Sequence, residues 1–428
     1  MTDTIFAHSS GAAPAAIAII RISGPSAHAA LQALAGRVPA PRRASYGVLR
    51  DTAGQVLDQA LMLWFPGPNT ATGEDLAELH CHGGRAVIAA VETALAELPG
   101  LRKAEPGEFT RRAFAHGRID LAQAEGLADL LSAETDMQRM AALSMAGGQV
   151  SRQIEGWRQE VLRLSAVVEA ALDFSDEDDV GALPGDFYLH LAALEGDISA
   201  WLERPRAERL KDGFTVVIAG PPNAGKSTLF NALVESEAAI TAPVAGTTRD
   251  VLSWSVAIQG MPFRFLDTAG LREETEDRIE AIGIERARGE LARADLVLWL
   301  GAQGEEPQGV TLWDIAAQID RPAYDAAKPE ARHRVSAMTG QGIDALRHDL
   351  VSHARQALPR PGDAALNQRQ HQALAAVAAA LVAAGRNGDP LLVGEELRLA
   401  RVALDAVLGR TTTEDMLDTL FGRFCIGK

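Results

Sequence analysis

Residues 220–228 (Gly-Pro-Pro-Asn-Ala-Gly-Lys-Ser-Thr) have the spacing of a phosphate-binding loop, in which Gly and four residues precede Gly-Lys-Ser. Backbone N–H groups that converge at a helix N-terminus bind phosphate oxygens, and glycines let the chain come close to them. We expect Lys226 to reach the outer phosphates and the Ser227 hydroxyl to ligate Mg²⁺. The alternative, a turn that binds nothing, is disfavoured because a β-branched apolar run, 214–219, precedes the loop and a helical pattern follows it. The residues of the loop predicted to contact a nucleoside triphosphate are Asn223, Ala224, Gly225, Lys226, Ser227 and Thr228.

Two segments downstream carry groups suited to Mg²⁺ and a γ-phosphate. Residues 246–250 (Gly-Thr-Thr-Arg-Asp) supply the Thr248 hydroxyl as a ligand for both. Residues 267–270 (Asp-Thr-Ala-Gly) follow an apolar strand pattern, so the Asp267 carboxylate is placed to bind Mg²⁺ through water. In this order the segments are typical of the switches of a GTPase. The nucleotide contacts they predict are Thr247, Thr248, Asp267, Thr268, Ala269 and Gly270.

The water that attacks the γ-phosphate needs a group to orient it. Leu271 stands where many GTPases place a Gln, and a Leu side chain has no hydrogen-bonding group. The acidic segment 273–280 offers carboxylates for this task, and the alternative for each is a solvated loop. No arginine finger is assignable from the sequence. A bound monovalent cation with the Asn223 side-chain oxygen as a ligand is an alternative source of positive charge.

The base-recognition segment departs from the usual pattern. GTPases usually carry Asn-Lys-x-Asp after a strand, whereas residues 317–320 are Ala-Gln-Ile-Asp. The Asp320 carboxylate still accepts hydrogen bonds from guanine N1–H and N2–H, which adenine does not offer, so GTP is favoured. The missing Asn amide is expected to weaken discrimination by on the order of 1–3 kcal/mol. Residues 336–340 (Ser-Ala-Met-Thr-Gly) match the last base-contact loop, with Ser336 and Ala337 as contacts.

The elements around these groups indicate a multidomain chain. Residues 1–119 have a mixed α/β pattern, with strands at 15–22, 59–65 and 76–80. Residues 120–212 are helical, with an apolar stripe through Trp157, Val161, Leu164 and Val168. Residues 213–352 alternate strands with helices, as a doubly wound parallel sheet does, and residues 353–428 are helical again. The pattern therefore predicts an all-α bundle domain split by an inserted α/β P-loop domain.

Composition narrows the class of protein further. The formal net charge of −16 argues against nucleic-acid binding by bulk electrostatics, so an RNA contact needs a local basic patch. The short candidates before the phosphate loop are Arg42-Arg43, Arg102-Lys103 and Arg111-Arg112, and for each a solvated face is the simpler interpretation. The N-terminal residues lack a basic signal sequence, and the longest apolar run, 375–384, is too short to span a membrane. Two distant cysteines favour a reducing compartment, and we expect a cytoplasmic protein.

Residues 80–82 (His-Cys-His) resemble metal ligands in composition. Neighbouring residues of a strand point to opposite faces, and no further Cys/His cluster lies nearby in the sequence. We therefore expect a plain strand there instead of a metal site.

The chain resembles the MnmE (TrmE) family of tRNA-modification GTPases over essentially its full length. The motifs that carry the resemblance, besides those of the GTPase segments, are 20–24 (Ile-Arg-Ile-Ser-Gly), 65–68 (Phe-Pro-Gly-Pro), 72–75 (Thr-Gly-Glu-Asp), 106–109 (Pro-Gly-Glu-Phe), 120–125 (Asp-Leu-Ala-Gln-Ala-Glu) and 425–428 (Cys-Ile-Gly-Lys). The C-terminal motif is highly specific when an inserted GTPase domain accompanies it.

The resemblance implies an N-terminal domain that binds a one-carbon tetrahydrofolate (5,10-methylene or 5-formyl) and mediates homodimerisation. Its folate contacts correspond to Arg21, Glu78, Arg118 and Lys428, and Cys425 corresponds to the cysteine that modification requires. Without the resemblance, ordinary surface charges would be the simpler interpretation of the first three.

The resemblance also implies a potassium-dependent GTPase whose domains pair across their nucleotide faces. The potassium ligands correspond to Asn223, Thr247 and the backbones of Ala242 and Val244, with Glu280 as the catalytic glutamate that acts indirectly on water. One extra residue lies between 267–270 and Glu280 relative to the family pattern. The family's partner is MnmG, an FAD- and NADH-using protein with which a heterotetramer forms. Together they install an aminomethyl or carboxymethylaminomethyl group at C5 of the tRNA wobble uridine.

Two other functional classes compete with this interpretation. One is a GTPase switch that assembles ribosomes or another RNA–protein complex without chemistry on RNA. A pure switch needs neither the C-terminal 425–428 motif nor the charged set Arg21, Glu78 and Arg118. The other is an ATP-preferring hydrolase, suggested by the incomplete base motif at 317–320.

Overall fold

The computed structural model describes residues 3–173, 183–234, 253–267, 294–325, 328–360, 365–411, 414–422 and 424–427. The chain divides into two compact units. The first comprises Met1–Ala128, Ser151–Arg158 and Leu404–Lys428, and the second comprises Asp129–Val150 and Gln159–Ala403. Each unit has its own β-sheet.

A six-stranded sheet forms the centre of the first unit. Its strands are β1 (Thr4–His8), β2 (Ala15–Ser23), β3 (Ser45–Arg50), β4 (Val56–Phe65), β5 (Leu76–Gly83) and β6 (Leu101–Lys103), in the order β3-β4-β5-β2-β1-β6. All neighbours are antiparallel except β1 and β6. Helices α1 (Ala27–Ala35) and α2 (Arg85–Ala96) contribute residues to the core beside one face of the sheet.

Successive side chains of β2 point to opposite faces of the sheet, and this alternation decides which side chains face a ligand. Ala18, Ile20 and Ile22 are fully buried, and the latter two belong to the core with α1 and α2. Arg21, which alternates with them, therefore points to the other face of the sheet. It pairs there in register with Glu78 of β5.

A second cluster of the first unit joins the end of the N-terminal segment to the C-terminus. Helices α3 (Glu108–Ala115), α4 (Leu121–Ser132) and α14 (Glu414–Phe421) contribute to it. Leu121 of α4 is buried with Leu417 and Phe421 of α14 and with Phe424. The aromatic ring of Phe421 lies 6.1 Å from that of Phe114, centroid to centroid.

The second unit contains the predicted doubly wound sheet. Its strands are β7 (Phe214–Ala219), β8 (Ser253–Ile258), β9 (Met261–Asp267), β10 (Leu296–Trp299), β11 (Leu312–Ala316) and β12 (His333–Arg334), in the order β12-β11-β10-β7-β9-β8. All neighbours are parallel except the edge strand β8, which is antiparallel to β9. Helices α9 (Lys226–Val234) and α11 (Ile343–Ala357) supply apolar residues to its core. The predicted domain boundary at 352 falls inside α11.

Helices before and after the sheet in sequence, and one short helix between β11 and β12, complete the second unit. They are α5 (Asp136–Ala146), the greater part of α6 (Gln149–Asp173), α7 (Phe187–Leu202), α8 (Ala207–Asp212), α10 (Pro322–Asp325), α12 (Gln368–Arg386) and most of α13 (Pro390–Leu408). The predicted stripe of α6 is buried at Val161, Leu164 and Val168. No helix in the described ranges has the length and apolar character needed to cross a lipid bilayer.

Candidate functional site

The phosphate loop lies at the carboxyl end of β7, a central strand that pairs with β9 and β10. Ligands of open α/β sheets bind at this edge because the loops that leave neighbouring strands diverge there. Gly225 adopts φ +93°, a left-handed conformation that favours glycine, and α9 begins at the next residue. The structure therefore places Asn223, Ala224 and Gly225 directly before a helix N-terminus, as an anion site requires.

The Lys226 side chain is buried, with 8% of its surface exposed, and its ammonium lies within the loop. Its Nζ donates hydrogen bonds to the Gly220 and Pro221 carbonyl oxygens at 3.0 and 2.9 Å. Ser227 and Thr228, which follow on α9, are exposed. The loop therefore combines the Lys226 ammonium, exposed hydroxyl groups and a helix N-terminus. These are the groups that a phosphate with its Mg²⁺ ion needs.

Asp267 ends β9 beside this loop. It pairs in register with Ile218 of β7, so its backbone lies one strand away from the start of the phosphate loop. The other predicted switch, potassium and catalytic residues lie outside the described residues: Ala242, Val244, Thr247, Thr248, Thr268, Ala269, Gly270 and Glu280.

The two predicted base-contact loops meet at Asp320 and Ser336. The Ser336 hydroxyl donates a 2.6 Å hydrogen bond to Asp320 Oδ1, and the Thr339 amide donates to the same hydroxyl oxygen at 3.2 Å. Ser336 is fully buried and Asp320 is exposed. The Ser336 hydrogen bond lowers the pKa of Asp320, so the carboxylate is ionised and accepts hydrogen bonds. Ala337, the next residue of the loop, is half-buried.

Gln318 makes a contact that the sequence reasoning missed. Its Nε2 donates a 3.1 Å hydrogen bond to the Asn223 carbonyl oxygen in the phosphate loop, while Arg321 Nη1 donates to its Oε1 at 3.0 Å. A Cβ at Gly225 would lie only 3.1 Å from Gln318 Nε2, so the two loops are in close contact. The sequence offers a signal for this contact, because Gln stands at the usual Lys position and also has a long side chain with a hydrogen-bond donor.

In the first unit, the predicted folate residues Arg21 and Glu78 form an ion pair across β2 and β5. Arg21 Nε and Nη2 both donate to Glu78 Oε1, at 3.1 and 2.9 Å. His80 Nε2 lies 3.4 Å from the other carboxylate oxygen, and the Arg21 guanidinium stands 5.8 Å from the Phe109 ring centroid. This cluster presents both signs of charge, which suits a ligand with a polar ring and an acidic tail, while Phe109 is buried beneath the guanidinium.

Arg118 lies at a different point of the same unit. It is exposed, and its side chain and that of His116 pack against Gly73, where a Cβ would lie 3.3 Å from Arg118 Cγ. Among the described residues, no hydrogen bond or ion pair joins Arg118 to the Arg21–Glu78 pair. Lys428, the fourth predicted folate contact, is outside the described residues.

A buried arginine connects the motifs at 72–75 and 106–109. Arg112 is fully buried and donates hydrogen bonds to the Glu74 carboxylate at 3.1 Å, to Glu108 at 3.0 Å and to Asp3 at 3.0 Å. The Ser23 hydroxyl, two residues from Arg21 on β2, also donates to Glu74, at 2.9 Å. This network fixes the 72–75 loop, on which Arg118 packs, to the strand that carries Arg21.

The C-terminal motif lies against the N-terminal segment. Ile426 forms a β-bridge with Pro106, and Gly427 has φ +94°. A Cβ at Gly427 would lie 2.2 Å from the His8 carbonyl oxygen, so only glycine fits there. Cys425 is exposed. The fold thus brings the C-terminal cysteine segment to the beginning of α3, the helix that carries Phe109.

The cysteines differ in environment, which predicts different reactivity. Cys81 packs in the sheet core, and burial, followed by the charge of Asp58, raises its pKa to about 12. His82 next to it is exposed and hydrogen bonds to Asp58 through Nδ1 at 2.8 Å. We expect iodoacetamide at pH 8 to alkylate Cys425 first, as measured by peptide mass spectrometry. A native protein labelled faster at Cys81 than at Cys425 would contradict these environments, and Cys425→Ser is the control.

The Glu108 network predicts a pH dependence of stability. Burial raises the pKa of Glu108, but hydrogen bonds from Arg102, the Glu105 amide and Arg112 outweigh it and hold the pKa below its ordinary value. A depressed carboxyl pKa contributes stability above the unfolded pKa of about 4.3, and this stability is lost as pH falls through the folded value. We expect the urea concentration at the unfolding midpoint of the N-terminal sheet, measured by hydrogen exchange, to decrease as the pH is lowered from 5 to 3. Glu108→Gln should make this midpoint depend less on pH. An unchanged pH dependence in the variant would contradict the assignment.

Comparison with known proteins identifies the relatives of this chain. A family model described as the GTP-binding protein TrmE N-terminus matches residues 4–118, and one described as the MnmE helical domain matches residues 121–425. The chain belongs to the MnmE family. A relative from Novosphingobium aromaticivorans, named tRNA modification GTPase MnmE, is 62% identical over 438 residues, with 100% of both chains covered. A relative of the same name from Erythrobacter litoralis is 61% identical over 426 residues, also with 100% of both chains covered.

Membership in the MnmE family confirms the predicted family and the multidomain fold class of an N-terminal α/β domain, a helical domain and a P-loop sheet domain. The assignments of individual residues to nucleotide, potassium, folate and catalysis stay predictions.

Proposed function

We propose that this chain hydrolyses GTP and, with the FAD protein MnmG, modifies C5 of the wobble uridine of tRNA with a folate-bound one-carbon unit. The observation that carries the GTP part is the junction of the phosphate and base loops. Gln318 joins residues 317–320 to Asn223, and Asp320 stands ionised beside Ser336. Phosphates and a guanine base therefore have binding groups on one continuous edge of the sheet.

The donors present fit the ions that such a reaction needs. The Ser227 hydroxyl, with Thr248, supplies hard oxygen ligands for Mg²⁺, and the Asn223 side chain, with Thr247 and the Ala242 and Val244 backbones, supplies oxygens for K⁺. Bound there, the cations would neutralise charge that develops on the phosphate oxygens. Lys226 positions the outer phosphates, and Glu280 acts on the attacking water indirectly because Leu271 has no polar group.

The folate part of the proposal rests on the first unit. Arg21 and Glu78 form a charged pair beside the Phe109 ring, Arg118 lies on the 72–75 loop, and Cys425 is exposed next to the bridge at Pro106. These groups suit a 5,10-methylene- or 5-formyl-tetrahydrofolate, with Lys428 as a further contact. Homodimerisation and assembly with MnmG belong to the same proposal.

Nucleoside analysis of tRNA from a deletion strain tests this function. We expect the wobble C5 modification to be lost and to return with the wild-type gene on a plasmid, whereas Cys425→Ser should restore GTP hydrolysis without restoring the modification. Wild-type levels of modification in the deletion strain would reject the proposal and favour a GTPase switch in RNA–protein assembly.

Replacing K⁺ by Na⁺ tests the proposed cation role. We expect GTP turnover to fall by about ten-fold or more, because a ligand set that fits K⁺ holds the smaller Na⁺ poorly and the reacting phosphates then lack this positive charge, with little change in GTP affinity. Single-turnover hydrolysis and fluorescent-nucleotide titration measure the two quantities. In the comparison variant Glu280→Ala, turnover should fall by about 100-fold in both salts, since the group that acts indirectly on the attacking water is removed. Equal rates of GTP turnover by the wild-type protein in K⁺ and Na⁺ would rule out a role for a bound K⁺ ion.

A further inference from the structure

The edge strand β3 and the loop before it carry four arginines within fourteen residues, 37–50. Residues 27–65 contain four basic residues, Arg37, Arg42, Arg43 and Arg50, and two acidic residues, Asp51 and Asp58, in a chain of net charge −16. All four arginine side chains are exposed, and we name this set the arginine edge. In the part of the chain that the structure describes, none of the four pairs with a carboxylate.

The contacts of these arginines leave their charges unneutralised. Arg37 Nη2 donates to the Ser45 hydroxyl at 3.1 Å and to the Tyr46 carbonyl oxygen at 2.7 Å. Arg42 donates to the Asn69 carbonyl oxygen and stacks 5.6 Å from the Phe65 ring centroid, and Arg50 donates to the Gly54 carbonyl oxygen at 3.0 Å. No hydrogen bond of the Arg43 side chain occurs within the described residues. Neutral partners thus hold the guanidinium groups of Arg37, Arg42 and Arg50 in place without cancelling their charge.

The two acidic residues of the region are engaged elsewhere. The Asp51 carboxylate accepts from the Ala53 and Gln55 amides of the turn after β3, at 3.0 and 2.8 Å. The Asp58 carboxylate accepts from the His82 amide at 2.7 Å and pairs with its ring. Asp51 therefore keeps its negative charge beside Arg50, whereas the positive charges of Arg37, Arg42 and Arg43 face solvent with no acidic residue in 27–50. Elsewhere in the first unit Arg21, Arg102, Arg111 and Arg112 pair with carboxylates, whereas the isolated Arg85 and Arg118 do not within the described residues.

An exposed aromatic ring lies in the same strand. Tyr46 is 60% exposed, and its hydroxyl is hydrogen bonded to Gln59 of β4, which holds the ring at the surface. Arg37 lies beside it, and Arg50 follows four residues along the strand, at a distance of about 14 Å. Single-stranded nucleic acid is bound by this combination, in which cations track phosphates and an aromatic face stacks on an unpaired base.

We propose that the arginine edge and Tyr46 bind the phosphate backbone and one unpaired base of the RNA substrate. This inference rests on the proposed function, which supplies RNA as the partner. An edge strand also gains from charged side chains that prevent pairing with another sheet. That role alone does not call for an exposed ring among unneutralised arginines.

Fluorescence anisotropy of the full chain with unmodified tRNA, titrated from 50 to 300 mM salt, tests the proposal. Arg43→Glu/Arg50→Glu should bind at least ten-fold more weakly at 50 mM salt, and its salt slope should fall by about two because two phosphate contacts are lost. Tyr46→Ala should weaken binding by about ten-fold without changing the slope, because stacking releases no counterions, while Tyr46→Phe stays near wild type. GTP turnover should be unchanged in each variant.

A charge-matched control is Arg355→Glu/Arg386→Glu, which reverses two exposed arginines of α11 and α12. If this control loses as much RNA affinity as the Arg43/Arg50 variant, the effect comes from net charge alone and the proposal is overturned. Wild-type binding by the Arg43/Arg50 variant, or a change in oligomeric state by light scattering without a change in RNA affinity, would also overturn it. The single variant Arg43→Gln, which removes no observed contact, should lower the slope by about one and guards against misfolding. Failure of wild-type protein to bind tRNA would instead count against the proposed function.

Discussion

Asp320→Asn should convert the nucleotide preference from guanine to xanthine. The Ser336 hydroxyl holds Oδ1 of Asp320 at 2.6 Å, so the second carboxylate oxygen is the one free to face a base. In the variant, the amide oxygen takes over the Ser336 contact and the NH₂ group faces the base. That group repels the guanine N2–H donor and pairs with the 2-oxo group of xanthine.

The expected size of this change follows from the hydrogen bonds lost. Each bond to a charged acceptor contributes about 1.5–3 kcal/mol, so GTP affinity should fall on the order of 100-fold or more. XTP affinity should rise above that of wild type. Competition titrations of a fluorescent nucleotide with GTP, XTP and ATP measure all three.

Ser336→Ala is the matched control for this experiment. It removes the hydroxyl that orients Asp320 but keeps the carboxylate, so it should weaken GTP binding moderately without favouring XTP. Wild-type binding of ATP in preference to GTP would contradict the assignment of Asp320 to the base and support an ATP-preferring hydrolase. Unchanged GTP binding by Asp320→Asn would place the base elsewhere.

At the nucleotide site, contacts between residues close in sequence were easier to predict than contacts between residues far apart in sequence. The phosphate loop is a local pattern, because strand, glycines and helix start lie within 220–228 and its flanks, and the structure has β7 and α9 as expected. The order of motifs assigns Asp320 and Ser336 each to the base, but it does not predict the hydrogen bond between them. The Gln318–Asn223 contact joins residues 95 positions apart, and both backbones are left-handed, at φ +59° and +63°. Asn is enriched in this conformation, whereas a Gln side chain gives no signal for it.

In the first unit, apolar sequence patterns predicted some strands and missed others. The strands at 15–22, 59–65 and 76–80 were predicted from apolar patterns, and the structure extends them to β2, β4 and β5. Strands β3 and β6 were missed because Ser45–Arg50 is half exposed and Leu101–Lys103 is three residues long. The buried strand β1 was missed as well, and neither reason applies to it. The Arg111-Arg112 pair was interpreted as a solvated face, which is wrong for Arg112. Its burial depends on Asp3, Glu74 and Glu108, and Asp3 lies 109 positions away.

Arg112→Met should produce the largest loss of stability among single substitutions in the N-terminal sheet. The side chain is fully buried and contacts Glu74 and Glu108, whose side chains are 9% and 8% exposed. Removing one partner of a buried ion pair leaves uncompensated charge, at a cost of about 3–5 kcal/mol. Urea-dependent hydrogen exchange of residues 4–23 and 76–83, followed by mass spectrometry, measures the local free energy of unfolding.

The charge, and not the volume, should be responsible for this loss. Arg112→Lys keeps the charge but not the planar fork, so its loss should be smaller than that of Met. Glu74→Gln in the Arg112→Met background should recover part of the stability, because one uncompensated carboxylate is removed, and the coupling of the two sites appears as non-additivity. If Arg112→Met loses less than about 1 kcal/mol, below the range for a broken buried pair, the network does not hold the 72–75 loop. In Arg112→Met the released 72–75 loop should also displace Arg118 from Gly73, so the proposed folate binding should weaken together with the exchange protection of the loop and not independently of it.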